Sequence, residues 1–370
     1  MKQFQRAVDL VREAVAAGRI AGAALAIGDR DRLYVKEVFG HTSFADLTGS
    51  AAAVDCHTLY DMASVTKIMA TTMVTLRFIA DGQMDLADTL PVYFGEMVPA
   101  DKAGITLFQL LTHTSGFPPH ILLESSVAPG GDVADFLLHT PLAYQPGSQV
   151  AYSCMGFILL GKALERIGGR SLDALAGELV FAPLGMTHTG YHLLDRPIDT
   201  GNTAFTERDH LTGQWLVGRV HDENARFQNG VSGNAGVFSD LDDCIRFARM
   251  LAGHGTLDGV ELIPGRIFDR AIRNYTPGME ENRGLGFHLA NGHFSYSGLF
   301  FDQKAFGHTG FTGPHMLVSP DTGLYVVLLN NRVHPDRARE SGNLRLRRLV
   351  HTQAAIAYER LAAEEISGKY

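Results

Sequence analysis

The sequence predicts an α+β protein: an antiparallel sheet flanked by terminal helices, with a mainly helical region inserted in its middle. Three features of the 370-residue chain carry that expectation. Apolar, partly alternating runs stand near both ends. Segments of helical period fill the centre. No short repeat of strand, helix and parallel strand connects them.

Phe4, Val8, Val11 and Val15 recur at helical spacing and predict an amphipathic first helix. Asp9, Arg12 and Glu13 interrupt this stretch, so it lacks the continuous apolar run of a secretory signal. AGAALAIG (21–28) and RLYVKEVFG (32–40), joined by Asp29, Arg30 and Asp31, predict a hairpin. Segments 64–82, 106–113, 133–140 and 152–169 have helical spacing, with Gly82, Gly116 and Gly168 in the places of C-terminal caps. Residues 195–235 read as an irregular polar loop, either flanking the site or a variable stretch of surface. AFGHTG (305–310), HMLVSP (315–320) and LYVVLLNN (324–331) predict three further strands, and a helix from Asn343 to about Glu365 closes the chain. Residues 1–63 and 240–370 thus make the sheet region and 64–239 the helical insert, as one unit.

Composition removes several classes of function. The 32 basic and 40 acidic residues leave a net charge of −8, without the clustered basic excess of a nucleic-acid binder. No apolar run approaches the roughly 18 residues of a membrane span. Cys56, Cys154 and Cys244 are widely spaced and form no CxxC, which argues against a disulfide framework and fits a reducing compartment. The expectation is a soluble, cytoplasmic protein with a small-molecule substrate and neither nucleic-acid nor membrane partner. The sequence carries no signal of oligomeric state.

Three short motifs carry chemistry. In Ser64-Val65-Thr66-Lys67 a helix would set Ser64 and Lys67 one turn apart on one face, with the serine at the positive end of the dipole. A neutral hydroxyl needs a neighbour to take its proton, and a lysine depressed by burial can do so. In Tyr152-Ser153-Cys154 a phenol near that ammonium ionises more easily and can relay protons. In His308-Thr309-Gly310 the glycine permits close backbone approach, and the N–H of Phe311 can complete an oxyanion hole with that of Ser64. Each motif alone has a plainer reading: a capping serine, a tyrosine burying its ring, a turn between strands.

Their order changes that balance. SVTK, YSC and HTG in succession, with LLTHTSGFP (110–118), PLGMTHTGY (183–191), HDENARF (221–227) and SGNAGVFSDLDDCIRFARML (232–251), resemble the motif set of class C β-lactamases, penicillin-binding proteins and family VIII carboxylesterases. The resemblance spans roughly residues 20–332. It implies a β-lactamase/transpeptidase-like fold with the site in the cleft between sheet and insert. It also implies Ser64 as nucleophile, Lys67 and Tyr152 as its proton acceptors, and Cys154, His308, Thr309 and Gly310 as substrate contacts. No cofactor is implied. Two positions depart from the pattern. Cys154 stands where the family has an amide-bearing Asn, and His308 stands where β-lactamases have Lys. Both leave Ser64, Lys67 and Tyr152 intact and count against efficient lactam hydrolysis.

Other motifs are look-alikes. Gly156 to Ala163 nearly matches a phosphate-binding loop but ends in Ala163 instead of a magnesium-binding hydroxyl. His188 and His192 stand four apart without HExxH or a following carboxylate ligand, so no metal is expected. No GxSxG elbow is present. Three functions stay open: an ester or related small-acyl hydrolase, a D-amino-acid peptidase or muropeptide amidase, and a binding protein that has lost catalysis.

Overall fold

In the computed structural model, which describes residues 2–49, 51–191, 200–290 and 297–367, the two ends of the chain meet in one six-stranded sheet. Its hairpin is β1 (Gly22–Gly28) and β2 (Leu33–Gly40). A separate small sheet follows, built from β3 (Tyr60–Asp61), β4 (Gly190–Tyr191) and β5 (Val237–Ser239) in the order β3-β5-β4. Strands β6 (Thr256–Leu257) and β7 (Val260–Glu261) form a two-stranded ribbon. The large sheet is completed by β8 (His288–Leu289), β9 (Phe306–Thr309), β10 (His315–Val318) and β11 (Tyr325–Asn330). Its order is β2-β1-β11-β10-β9-β8, antiparallel throughout, with Ala23 opposite Asn330 and Gly28 opposite Tyr325.

Two cores explain why the strands read as nearly continuous apolar runs. Successive side chains leave opposite faces of a strand. Leu25, Ile27, Val326 and Leu328 pack on one face against the first helix (Gln5–Ala16) and the last (Asn343–Ser367), through Phe4, Val11, Leu346 and Val350. Ala24, Ala26, Val327 and Leu329 share the other face with the inserted helices. A sheet covered on both sides has no wet face on which polar residues could alternate. The α+β layering, the hairpin, the closing strands and the terminal helices all stand where the sequence placed them, to within one or two residues.

Local details differ from expectation. Residues 64–82 are not one α-helix. A 3-10 turn (Ala63–Val65) leads into a π-helical stretch (Lys67–Thr72) and only then into an α-helix (Met73–Ala80). Threonine hydroxyls compete for backbone acceptors there: Thr75 Oγ1 donates to the Thr71 carbonyl at 2.7 Å. Tyr152 lies just before its helix, which runs from Cys154 to Gly168 and is capped by Gly169, not Gly168. The helix Leu107–Leu111 ends through Thr112 and the left-handed His113, with Gly116 further on. The phosphate-loop look-alike is buried in the helix Cys154–Gly168. Residues 200–235 carry a short helix (Glu223–Phe227), whereas 195–199 and His192 lie outside the described residues. Among the described residues no helix is long and apolar enough to cross a membrane.

Candidate active site

Strand β3 delivers the turn that carries Ser64. Asp61 at its end is buried and organises three segments: Oδ1 accepts the Ala63 N–H (2.8 Å), Oδ2 accepts the His221 N–H (2.6 Å), and its carbonyl accepts the Thr312 hydroxyl (2.7 Å). Burial holds the Asp61 carboxyl above the usual range against those hydrogen bonds. Ala63 adopts φ +44°, a left-handed conformation that costs an alanine about 1–3 kcal/mol. The turn leaves Ser64 part-exposed among buried neighbours.

Behind Ser64 lies a fully buried lysine. Lys67 Nζ donates to Ser64 Oγ at 3.1 Å and to the Asn234 carbonyl at 3.0 Å, and sits 3.7 Å from Cys154 Sγ. It also lies 4.8 Å from the centre of the Tyr152 ring. Burial is the largest influence on Lys67 and pulls its ammonium down. Cys154 and Tyr152 push back, and the balance lies above the ordinary lysine value. Burial alone was expected to depress this lysine, and its neighbours reverse that. Burial also raises the Tyr152 phenol and the Cys154 thiol, with Lys67 opposing in both cases. Lys67 therefore bears on the protonation of both neighbours, and they on it. The Tyr152 hydroxyl is shut away from solvent without a well-aligned hydrogen bond, although Lys67 and Ser64 both lie near enough to favour its anion.

Sequence reasoning passed over the rest of this shell. The SGNAG stretch has no titratable side chain to mark it, yet its Asn234 carbonyl holds Lys67 and its Gly233 carbonyl accepts from Thr71 Oγ1 at 2.7 Å. A Cβ on Gly233 would come within 2.0 Å of the Phe157 carbonyl, so only glycine lets the segment reach the lysine. Three buried histidines surround Tyr152, with His113, His288 and His308 at ring distances of 4.7, 5.7 and 5.9 Å. Burial, helped by nearby Arg283 and Lys67, depresses all three far below the usual imidazole value, so they are neutral. Arg283, buried as well, lies 5.2 Å from the Tyr152 ring, opposite in origin to Lys67. The chain thus sets two cations against one phenol. No local motif marks Arg283, because only the tertiary fold brings it there.

The third motif closes the site. Strand β9 ends at Thr309, and a Cβ on Gly310 would lie 2.6 Å from the Met62 carbonyl. That glycine allows the Phe311 segment to approach the turn that carries Ser64. Among the described residues neither the Ser64 nor the Phe311 backbone N–H has a protein acceptor. His308 is turned inward, its Nδ1 2.9 Å from the Thr309 carbonyl, and is not a charged substitute for lysine. Ser64, Tyr152 and Phe311 line two adjoining cavities. The first, about 1010 Å³, is bordered by Leu47, Leu122, Trp215, Cys154 and the Glu207–Arg337 ion pair. The second, about 820 Å³, contains His308, Thr309, Gly310 and a set of arginines including Arg283, Arg332 and Arg345. All the residues singled out from sequence therefore gather here: Ser64, Lys67, Tyr152, Cys154, His308, Thr309, Gly310 and Phe311.

The chain is similar to known proteins over most of its length. The Beta-lactamase family model matches residues 7–351. The chain is 27% identical over 365 residues to the N-acetylmuramyl-L-alanine amidase of Bacillus subtilis (strain 168), covering 90% of this chain and 82% of that protein. It is 29% identical over 307 residues to an Escherichia coli (strain K12) protein named provisionally as a D-alanyl-D-alanine carboxypeptidase, covering 75% and 70%. Two solved structures share the fold. EstCE1, a hydrolase with promiscuous acyltransferase activity, aligns with a TM-score of 0.74 at 20% identity over 95% of this chain and 99% of its own. The simvastatin synthase LovD of Aspergillus terreus aligns with a TM-score of 0.72 at 21% identity over 95% and 97%. By the extent of the family match, the chain belongs to the Beta-lactamase family.

Proposed function

We propose that this protein is a serine hydrolase working through an acyl-enzyme on small ester or amide substrates that carry a negative charge. The observation behind the reading is the buried Lys67 ammonium, 3.1 Å from Ser64 Oγ and fixed by the Asn234 carbonyl. Ser64 Oγ attacks the substrate carbonyl carbon and its proton passes to the Lys67–Tyr152 pair. The two groups share their titration, so the base is the pair. The backbone N–H groups of Ser64 and Phe311 receive the developing oxyanion. The bond to the leaving group breaks as the pair returns a proton to it. Water then adds to the acyl carbon and releases Ser64. Since Lys67 and Tyr152 are both raised, the pair must first lose a proton, and the acylation rate should climb with pH above neutrality. No cofactor enters these steps.

The arginines of the second cavity favour an anionic group beyond the scissile bond, because guanidinium and carboxylate form strong paired hydrogen bonds. That feature and the amidase and carboxypeptidase names of the relatives support a second reading, a peptidase or amidase for D-amino-acid or muropeptide fragments. The free Cys56, Cys154 and Cys244 favour a reducing compartment, where recycled fragments would be met. Cys154 in place of an amide weakens recognition of an acylamino side chain and disfavours lactams.

The test is labelling with a fluorophosphonate, followed by intact mass, peptide mapping and a turnover panel. A single adduct on Ser64 with turnover of anionic esters supports the first reading. Turnover confined to D-peptides or muropeptides supports the second. No adduct, or an adduct elsewhere, overturns both and leaves a non-catalytic binding protein.

A further inference from the structure

The short sheet β3-β5-β4 delivers the catalytic shell at one end, where β3 runs into Ser64 and β5 follows Asn234. Because β5 is antiparallel to both neighbours, its other end lies beside the starts of β3 and β4. His57 precedes β3, His188 precedes β4 and Asp240 follows β5, so the topology brings these three residues together. His57 Nδ1 lies 3.1 Å from Asp240 Oδ2, and His188 Nδ1 lies 3.2 Å from the same oxygen. The ring centres are 5.1 Å apart. All three donor atoms fall within 4.8 Å of one another.

We propose that His57, His188 and Asp240 form a binding site for a borderline divalent transition-metal ion of the zinc class, which clips the far end of this sheet. Two imidazoles and a carboxylate are ligands that such ions accept. Bonds of about 2.0–2.1 Å to a tetrahedral ion separate neighbouring donors by about 3.3 Å. The observed 3.1 and 3.2 Å therefore need little adjustment. The donors are also held in place. The Asp240 side chain is fully buried, and its Oδ1 is occupied by the Asp243 N–H at 2.9 Å, which leaves Oδ2 for the imidazoles. The backbone of His188 is fixed by Asp243 Oδ2 at 2.7 Å, and that of His57 by Asp55 Oδ1 at 2.8 Å. Both imidazoles are half-exposed, at 53% and 52%, so an ion can enter from solvent and keep a water ligand. The site stands at the start of the helix Leu241–Ala252, whose dipole opposes a cation. Asp240, Asp242 and Asp243 at that helix start offset the dipole. His188 meets His57 across the fold, their ring centres 5.1 Å apart.

The experiment is titration of chelator-treated protein with Zn²⁺ by calorimetry and with Co²⁺ by absorption spectroscopy, alongside His57→Ala and His188→Ala. Both substitutions fall at half-exposed side chains, so the variants should fold. One equivalent of metal should bind, with Co²⁺ bands of four-coordinate geometry and a raised Tm. Each variant should weaken binding at least about tenfold and lose the Tm gain. Absence of stoichiometric binding overturns the proposal, and so does binding unchanged in the two variants. Fluorophosphonate labelling of Ser64 does not depend on either result, so failure here leaves the catalytic reading untouched.

Discussion

Two cavities meet at Ser64 and share Tyr152 and Phe311, yet their chemistry is opposite. The first is walled by Leu47, Leu122 and Trp215; there Arg337 pairs with both Glu207 and Glu223, and Asp222 and Asp336 add two further carboxylates. Burial raises the Glu207 carboxyl, but His221 and Arg337 overcome it and bring it down to about 2, so this pair stays closed at any ordinary pH. The second cavity has six arginines against Glu281 and Glu340. One side offers shape and apolar surface, and the other has a lining with more arginines than carboxylates. A substrate that spans both would be oriented by that asymmetry before chemistry begins.

The comparison has force only if the atoms at the junction do the chemistry. Ser64→Ala should lower turnover by at least about 10⁴-fold and abolish fluorophosphonate labelling, with the fold retained by circular dichroism. Retained turnover would make the two cavities a binding cleft and nothing more. Tyr152→Phe keeps the ring that packs on Lys67 and the three histidines while deleting the hydroxyl. It should reduce kcat by about 10²- to 10⁴-fold and flatten the rise of rate with pH. An unchanged kcat would remove the phenol from the proton path and leave Lys67 alone as base.

Much of this was legible in the sequence, for reasons that differ between residues. Strands β1 and β11 were readable because a sheet buried on both faces leaves uninterrupted apolar runs bounded by turn residues. Ser64, Lys67 and Tyr152 were readable because each sits in a short motif whose spacing reflects its chemistry. Arg283, His288 and His113 carry no such mark. Each is an ordinary residue in its local segment and becomes part of the site only where distant segments meet. The π-helical stretch at Lys67 was hidden as well, because a segment apolar on most sides carries no polar stripe to tell a ladder that closes at four residues from one that closes at five. The balance at Lys67 was hidden too, because burial can be read from a sequence, but how far Cys154 and Tyr152 counter it cannot.

The two walls can be separated by paired substitutions. Trp215→Ala should raise KM about tenfold for substrates with bulky apolar groups and leave the preference for anionic over neutral substrates unchanged. Arg345→Gln, at an exposed residue of the second cavity, should raise KM about tenfold for anionic substrates and spare neutral ones. Crossed or equal effects would show that substrates do not span the cavities as proposed.

The smallest expected effect is also the sharpest test of where the positive charge resides. If His308 were an ordinary imidazole, it would gain charge below about pH 6.5 and strengthen binding of anions as pH falls. Burial depresses it far below that value, with Lys67 and Arg283 adding to the effect. Its folded-state proton affinity is lowered, so it stays neutral throughout the range in which a free histidine would titrate. The arginines keep their charge across the same range. The ratio of kcat/KM for an anionic substrate to that for its neutral analogue, with the same scissile bond, should therefore be flat from about pH 5.5 to 8.5. The ionisation of Lys67 and Tyr152 alters both rates equally and cancels in the ratio. A ratio that grows severalfold on acidification would place the discriminating charge on His308, in the role a lysine holds in related β-lactamases. A flat ratio assigns that charge to the arginine wall, and the histidine is then a neutral spacer that shapes the pocket around Tyr152.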